Sequence, residues 1–411
     1  MRASNTKQAL VRSVRIATLA TLWLVPLFLF VSAFSSDWVS TWRAVGVPSM
    51  TPKFLDLYSI PTGVETLHNG GDPLVANPGD PYHRPMNYPR IWLYAFSAAG
   101  VTRDKIPIVA LVLCAFYLAC ISVLIARTAH AVDAVVILVA SLSAAPLLAM
   151  ERGNNDLFVF LLVFLACFAT HKYFKSGLFG AAALLKLYPI VAMIVDGLRR
   201  PTKERKLAAL LILLTASLVL LQWRDLGLIR HGTQASRTWS YGVLSLEAEA
   251  FHESLQRGGA LVGLEWIVVL ECWLMGALAI RYAWRNSAEP DPTLSDPKFA
   301  ELFSAFGGIY VFTYAIGSNW DYRLIFLLPT LPLAMEMVRG ARHRLWAITY
   351  LVFVGIAENP VAARSLGGIF ASQAATFALF ILLLIMLTNQ AKSLHWKRAA
   401  AAPAAAWSPV L

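Results

Sequence analysis

The sequence predicts an all-α polytopic membrane protein, and two observations support this prediction. Of its 411 residues, 58% are hydrophobic and 14% are charged, whereas about 25% of the residues in a typical soluble domain are charged. Several apolar stretches also approach or exceed the ~18 residues that a membrane-spanning helix needs, beginning with residues 16–33 and 106–126. A single amino-terminal signal peptide would not account for all of them.

The distribution of the basic residues indicates which loops face the cytoplasm. The formal net charge is +11, but the basic residues lie in short clusters between apolar stretches, which is typical of cytoplasmic loops and does not favour nucleic acid as a partner. The cluster in residues 2–15 places the amino terminus in the cytoplasm and residues 37–105 in a large first extracytoplasmic loop. All four cysteines lie inside apolar stretches, which favours packing and gives no metal-ligand spacing.

Alternation of the remaining clusters predicts about ten transmembrane helices. These are residues 16–33, 106–126, 132–150, 157–170, 207–223, 260–284, 299–316, 322–337, 345–356 and 369–388. Residues 178–198 have basic clusters at both ends and Lys186-Leu187-Tyr188-Pro189 in the middle, which favours a re-entrant pair of half-helices over one bent span. Residues 1–398 then form one transmembrane domain with both termini cytoplasmic, a second extracytoplasmic loop at 224–259 and a disordered tail at 399–411.

This topology brings three polar segments to the extracytoplasmic side. They are the loop around Asp56, residues 151–156 and residues 319–323. Asp56 lies among aromatic residues, so it is a candidate general base in a carbohydrate site, with a helix cap or another structural role as the alternative. Asp72 and Asp80 stand beside proline and read as turn residues.

Three cations are candidates for binding a phosphate. Arg152 precedes Gly153-Asn154-Asn155-Asp156, which either caps the following short helix or binds an anion at its amino end. Lys186 and Arg323 fall at membrane depth, where a charge is costly and points to function. The alternatives are snorkelling for Arg323 and pairing of Lys186 with Glu265 or Glu271. The sequence contains no Gly-rich phosphate loop of the nucleotide-binding type.

Six short motifs in order resemble the bacterial family 87 glycosyltransferases of the GT-C superfamily, which are polyprenyl-phosphate-mannose-dependent α-mannosyltransferases and their relatives. The motifs are Asp56-x-Tyr58, Gly71-Asp72-Pro73, Tyr88-Pro89, Gly153-Asn154-Asn155, Lys186-Leu187-Tyr188-Pro189 and the run from Asp321 to Pro329. The similarity extends from about residue 50 to 340. The family's Tyr-Pro-Pro reads Tyr88-Pro89-Arg90 here, and residues 75–85 form an insertion.

The resemblance implies an inverting hexosyltransferase in a bacterial plasma membrane, with a GT-C-like fold and an active site on the extracytoplasmic side. Its substrates would be a polyprenyl-phosphate sugar and a glycolipid or glycan acceptor, with no cofactor and no metal. Asp56 would be the catalytic base, and the donor phosphate would bind Lys186, Arg323 and Arg152. The implied substrate-binding residues are Tyr58, Tyr88, Asn154, Asn155, Asp321 and Tyr322. A transporter or flippase of lipid-linked glycans, or a non-catalytic assembly protein, remains an alternative.

Overall fold

The computed structural model describes residues 2–233, 239–245, 265–286, 296–340, 343–359 and 366–401. Almost all regular structure in these ranges is helical, which confirms the predicted all-α fold class. The one sheet in this part of the chain is a two-stranded antiparallel ribbon, in which Ser240 pairs with Trp320 and Tyr241 with Asn319. This ribbon lies next to the polar segments that were predicted to form a site.

The helices follow one another closely. The α-helices up to the ribbon are α1 (Arg2–Ser35), α2 (Trp38–Ala44), α3 (Ser59–His68), α4 (Ile91–Ala98), α5 (Ile106–Arg127), α6 (Ala131–Ser141), α7 (Ala144–Arg152), α8 (Asp156–Phe168), α9 (Lys172–Leu185), α10 (Ile190–Arg199), α11 (Thr202–Leu220) and α12 (Trp223–Gly232). The strands are β1 (Ser240–Tyr241) and β2 (Asn319–Trp320), and the later helices are α13 (Glu265–Asn286), α14 (Pro297–Ile316), α15 (Leu331–Arg339), α16 (Arg344–Ala357) and α17 (Leu366–Ala401). Leu55–Tyr58, Arg103–Lys105 and Asp321–Thr330 are 3₁₀ helices.

Five described helices are long and apolar enough to cross a membrane, and up to seven crossings result if each of two bent pairs is one span. The five segments are Gln8–Ser35, Arg103–Arg127, Trp266–Asn286, Pro297–Ile316 and Gly368–Lys392. Helices α8 and α16, with 13 and 14 residues, are shorter than a full crossing requires. The chain is therefore a multi-pass membrane protein, while the predicted number of ten spans is not confirmed.

Two predicted spans are interrupted by proline. The span predicted at 132–150 is α6 and α7, which meet at an angle of 52°. A proline ring clashes with the carbonyl four residues earlier, and Pro146 therefore disfavours helix at Leu142, the residue that follows the end of α6. The span predicted at 322–337 is a 3₁₀ helix followed by α15, with Pro329 inside the first and Pro332 at the start of the second.

Helices α9 and α10 form a hairpin rather than one bent span. Lys186 leaves the helical conformation at the end of α9, and α10 begins after Pro189. The two far ends return to each other, since Lys175 Nζ lies 2.7 Å from Asp196 Oδ1 and Arg200 Nη2 donates to Ser176 Oγ at 2.7 Å. The basic clusters at both ends of this segment thus lie at the same end of the molecule, as the charge pattern predicted.

Parts of three predicted segments lie outside the described residues. They are the beginning of the span at Ala260, most of the second loop at 224–259 and the tail from residue 402 onwards. The described start of the second loop is helical in α12. Residues 399–401, predicted to be disordered, continue α17.

Gly153 holds the turn between α7 and α8 close to the first loop. Its φ is +57°, and a Cβ at this position would lie 3.0 Å from Ala110 Cβ and 3.1 Å from Phe54 Cβ. Left-handed backbone costs an L-residue about 1–2 kcal/mol, and the crowding adds to it. We expect Gly153→Ala to lower the free energy of unfolding by about 2–4 kcal/mol, measured by thermal unfolding in detergent.

Gly177→Ala is the matched control for this prediction. Gly177 lies within α9, and a Cβ added there would have no described heavy atom within 4 Å outside its own helical turn. Alanine at such a helical position stabilises by about 0.5–1 kcal/mol. Equal unfolding midpoints for the two variants would contradict the role of the Gly153 turn.

Candidate functional site

Asp56 lies in the short 3₁₀ helix that enters the first loop. The turn before it is formed by Phe54, which has a left-handed φ of 59° and packs its ring 5.0 Å from the ring of Trp38. This buried aromatic anchor fixes the backbone, while the Asp56 side chain keeps 14% of its surface exposed. The carboxylate hydrogen-bonds to Asn154 and Arg84, and the amino end of α3 has no side-chain cap. The helix-cap alternative for Asp56 is therefore wrong, and its role as a base rather than as another structural residue stays a prediction.

Asn154 connects Asp56 to the start of α8. Its Nδ2 donates to Asp56 Oδ2 at 2.8 Å, and its Oδ1 accepts the backbone N–H of Asp156 at 2.9 Å. One amide therefore satisfies a helix-terminal donor and fixes the orientation of the carboxylate. Neighbouring Asn155 is buried, and neither polar atom of its side chain has a hydrogen-bond partner among the described residues.

Arg84 is a site residue that the sequence analysis missed. Its Nε and Nη2 each lie 3.0 Å from a different carboxylate oxygen of Asp80. The same guanidinium donates to Leu55 O at 3.1 Å and reaches Asp56 Oδ1 at 3.5 Å. Asp80 also accepts the backbone N–H of Tyr82 at 2.9 Å, so its predicted turn role is confirmed. The same carboxylate binds the Arg84 guanidinium through both of its oxygens. A basic residue four positions after a predicted turn aspartate was the available signal in the sequence.

A cavity of about 230 Å³ opens beside Asp56. Its charged lining residues are Asp56, Arg84 and Arg152, and its aromatic walls come from Tyr82, Tyr88, Trp320 and Tyr322. A neighbouring cavity of about 400 Å³ shares Met50, Arg152 and Trp320 with it. Flat aromatic faces beside charged and polar groups suit a carbohydrate, which presents both apolar ring faces and hydroxyls.

Lys186 and Arg323 converge on Asp156 behind this cavity. Lys186 Nζ contacts Asp156 Oδ1, and Arg323 Nε donates to Asp156 Oδ2 at 3.1 Å. The Asp156 side chain has no exposed surface. The alternative pairing of Lys186 with Glu271 is therefore wrong, because the α9–α10 hairpin directs the lysine towards α8 instead of α13. The side chain of Glu265 lies outside the described part of the structure. Two cations face one carboxylate, so the cluster carries one formal positive charge.

Aromatic rings connect this cluster to the cavity. Lys186 Nζ lies 5.0 Å from the centre of the Tyr88 ring, which also lines the cavity. The Arg323 guanidinium lies 5.3 Å from the centre of the Tyr188 ring. Burial raises the pKa of Tyr88 well above its ordinary value, so this phenol stays protonated at neutral pH and is available as a donor.

The remaining predicted site residues occupy different positions. Arg152 lines both cavities, where it is held by Glu151 Oε2 at 3.1 Å and by Pro48 O at 2.9 Å. Tyr322 lines the first cavity, with its ring stacked 6.3 Å from that of Trp320. Asp321 is buried, and the structure does not place it or Tyr58 on the walls of either cavity. No group of three or more metal-ligating side chains converges in the described ranges, and the absence of a metal or cofactor requirement stays a prediction.

Arg90 connects the first loop to α12. It donates to Asp72 Oδ2 at 2.8 Å and to Asp225 Oδ2 at 2.9 Å, which gives Asp72 an ion pair besides its turn bond to the Leu74 N–H. The hydrogen bond from Arg90 lowers the pKa of Asp72. A lowered pKa stabilises the fold above the ordinary aspartate pKa of about 3.9, and this contribution is lost as the pH falls through the lowered value.

We therefore expect the loop to resist proteolysis equally between pH 6 and 8 and to become more sensitive at pH 3. Arg90→Met is expected to increase the cleavage rate of residues 69–90 severalfold at pH 7, because both ion pairs are lost. Limited proteolysis with mass spectrometry measures this rate, with Arg103→Met, which removes an exposed ion pair to Glu65, as the control. Identical cleavage of the two variants would contradict a specific role for Arg90.

The sequence of this chain matches one model of a known protein family. The family model of glycosyltransferase family 87 matches residues 88–305, which is more than half of the chain. The matched range includes Tyr88, Asn154, Asp156 and Lys186, whereas Asp56, Arg84 and Arg323 lie outside it. No curated protein and no solved structure matches the chain.

Proposed function

Because this chain belongs to glycosyltransferase family 87, we propose that it is an inverting hexosyltransferase that uses a polyprenyl-phosphate sugar, with mannose as the first sugar to test. The acceptor would be a hydroxyl of a lipid or glycan on the extracytoplasmic side of a bacterial plasma membrane. The observation that carries the proposal is the position of Asp56. A partly exposed carboxylate is held in one orientation at the wall of an aromatic cavity, with a cationic cluster next to it.

In the proposed reaction, Asp56 removes the proton from the acceptor hydroxyl. The hydroxyl oxygen attacks the anomeric carbon of the donor, and the bond from that carbon to the phosphate oxygen breaks. The bonding electron pair leaves with the polyprenyl phosphate, and the single displacement inverts the configuration. Asn154 donates a hydrogen bond to Oδ2 of Asp56, and Arg84 lies near Oδ1. These two contacts orient the carboxylate before the acceptor arrives.

The charges around the cavity suit this displacement. The described ion pairs match four cations with four carboxylates, namely Arg84, Arg152, Lys186 and Arg323 with Asp56, Asp80, Glu151 and Asp156. When Asp56 gains a proton, one positive charge loses its partner. The departing phosphate gains one negative charge in the same step, so the site would become cationic as the leaving group becomes more anionic.

The position of the cations among the helices also supports a lipid-linked donor. Lys186 is at the tip of the α9–α10 hairpin, and the Asp156 that it contacts begins the short helix α8. A phosphate attached to a membrane-embedded polyprenyl chain would reach a site among such helices without leaving the bilayer. The family membership favours transfer over the transport and assembly alternatives.

The test is transfer of radiolabelled sugar by the purified full-length protein in proteoliposomes. Polyprenyl-phosphate mannose, polyprenyl-phosphate glucose and GDP-mannose are supplied separately with a membrane glycolipid extract as acceptor. The proposal requires labelled product from a polyprenyl-phosphate sugar and none from GDP-mannose, with inversion at the anomeric carbon shown by NMR of the product. Transfer from GDP-mannose alone, or retention of configuration, would disprove it.

A further inference from the structure

A further pocket lies at the other end of the helix bundle, far from Asp56. It has a volume of about 580 Å³ and is lined by residues of α10, α11, α13, α14 and α17. The length of α17 gives the distance between the candidate site and this pocket. Gln373 donates to Ser240 O beside the candidate site, and Gln390 donates to Ala300 O beside this pocket. Seventeen helical residues between these two contacts span about 26 Å, which approaches the thickness of a hydrocarbon core.

The lining of this pocket is divided between an apolar part and a cationic edge. Leu198, Ile280 and Trp284 form apolar walls, and their side chains remain 64%, 43% and 52% exposed. Both ionisable lining residues are arginines, Arg199 and Arg205. The pocket is therefore open, apolar over most of its depth and positively charged at one edge.

Arg205 is positioned by neutral oxygen atoms. Its Nε donates to Arg200 O at 3.2 Å and its Nη2 to Leu198 O at 3.4 Å, and no described carboxylate forms an ion pair with it. The nearby acids Asp196 and Glu204 are paired with Lys175, Arg200 and Lys172 instead. Its charge thus lacks a paired anion within the described chain and would attract an external one.

Arg199 adds a second guanidinium that is held in place. Its Nη1 donates to Ala300 O at 3.1 Å and to Ser304 Oγ at 2.5 Å, which ties the end of α10 to α14. A guanidinium carries five N–H donors in a planar fork that suits phosphate oxygens, and these bonds fix its position at the edge of the pocket. Near Arg199, Thr388 and Gln390 add polar groups to the lining.

We expect the ring of Trp284 to lie at the membrane interface. It lies at the end of α13, and Lys392 Nζ lies 5.9 Å from the centre of its ring. Tryptophan beside a basic residue at the end of an apolar helix is typical of the boundary between lipid headgroups and hydrocarbon. Farther along α13, the apolar side chains of Leu274 and Leu278 are 60% and 48% exposed, as expected for a surface in contact with acyl chains.

From this arrangement we propose that the pocket binds an anionic glycerophospholipid of the leaflet opposite to the Asp56 site. The phosphate lies between Arg205 and Arg199, and one acyl chain lies along Leu198, Ile280 and Trp284. The charge pattern predicts this end of the bundle to be cytoplasmic, where basic pockets between transmembrane helices commonly bind anionic headgroups. The lipid would link the α9–α10 hairpin, which carries Lys186 at its tip, to α13 and α17.

The test measures lipid retention by the purified full-length protein with native mass spectrometry. Dioleoylphosphatidylglycerol and dioleoylphosphatidylcholine are compared on the wild type, on Arg205→Gln and on Arg344→Gln. Arg344 is the matched control, because it is an exposed arginine held by a carbonyl, Val338 O at 2.9 Å, outside this pocket. A phosphate–arginine contact near the membrane surface corresponds to about a fivefold change in affinity.

The expected result is preferential retention of phosphatidylglycerol by the wild type and by Arg344→Gln, with the dissociation constant raised about fivefold in Arg205→Gln. Equal retention by the three proteins, equal retention of phosphatidylcholine, or displacement of the lipid by millimolar inorganic phosphate would overturn the proposal.

A second measurement does not depend on folding of the arginine variants. Phosphatidylglycerol brominated in its acyl chain should quench more fluorescence in the wild type than in Trp284→Phe, and equal quenching would contradict the acyl-chain position.

Discussion

Asp56→Asn is expected to lower the rate of sugar transfer by about 10²–10⁴-fold with little change in the KM for the lipid-linked donor. The substitution removes the basic oxygen and preserves the shape of the side chain. Its amide oxygen still accepts the hydrogen bond that Asn154 Nδ2 now donates at 2.8 Å, so the local fold is retained. Initial rates over a range of donor concentrations measure the effect.

Glu65→Gln is the matched control for Asp56→Asn. Glu65 is a carboxylate of the same loop region, its side chain is 45% exposed, and it pairs with Arg103 rather than lining the cavity. We expect its transfer rate to equal that of the wild type. A rate for Asp56→Asn within about threefold of the control would remove Asp56 from the mechanism, because a general base contributes at least ~100-fold.

Lys186→Met is expected to lower the transfer rate by about 10²–10³-fold, as removal of one preorganised donor from a developing anion does in other enzymes. It should also weaken inhibition by the product polyprenyl phosphate, because the cluster on Asp156 would lose one of its two cations. The inhibition constant of added polyprenyl phosphate gives a readout of phosphate binding that does not depend on turnover.

The same substitution has a structural consequence, which a second variant separates from catalysis. Breaking a buried ion pair costs about 3–5 kcal/mol where the remaining charge is left without a partner. Lys186→Met leaves Asp156 paired with Arg323, so it should lower the thermal unfolding midpoint less than Asp156→Asn, which leaves both cations without their carboxylate. The transfer rate of Lys186→Met should nevertheless be low at temperatures at which this variant stays folded. A rate equal to that of the wild type at those temperatures would show that Lys186 acts only as a structural partner of Asp156.

The candidate site depends on contacts between residues that are distant in the sequence. Asn154 and Asp56 are 98 positions apart, and Arg323 and Asp156 are 167 apart. Sequence motifs singled out Asp56, Asn154, Lys186 and Arg323, which lie around one region of the fold, and their catalytic and binding roles stay predictions. Their pairing could not be predicted, because it depends on how α8, the α9–α10 hairpin and the 3₁₀ helix pack together. Arg84 was missed for the same reason, since only the folded loop brings its guanidinium to Asp80 and Asp56.

The sequence by itself determined that this chain is a multi-pass helical membrane protein, that Lys186–Pro189 interrupts a helix between two basic clusters, and which motifs resemble family 87. These properties depend on local composition, the cost of charge in hydrocarbon and the missing N–H of proline. Only the tertiary structure decided that Asp156 joins the two cations and that Arg84 and Asn154 hold the carboxylate of Asp56. Those features depend on packing between distant segments, which hydropathy and charge do not encode.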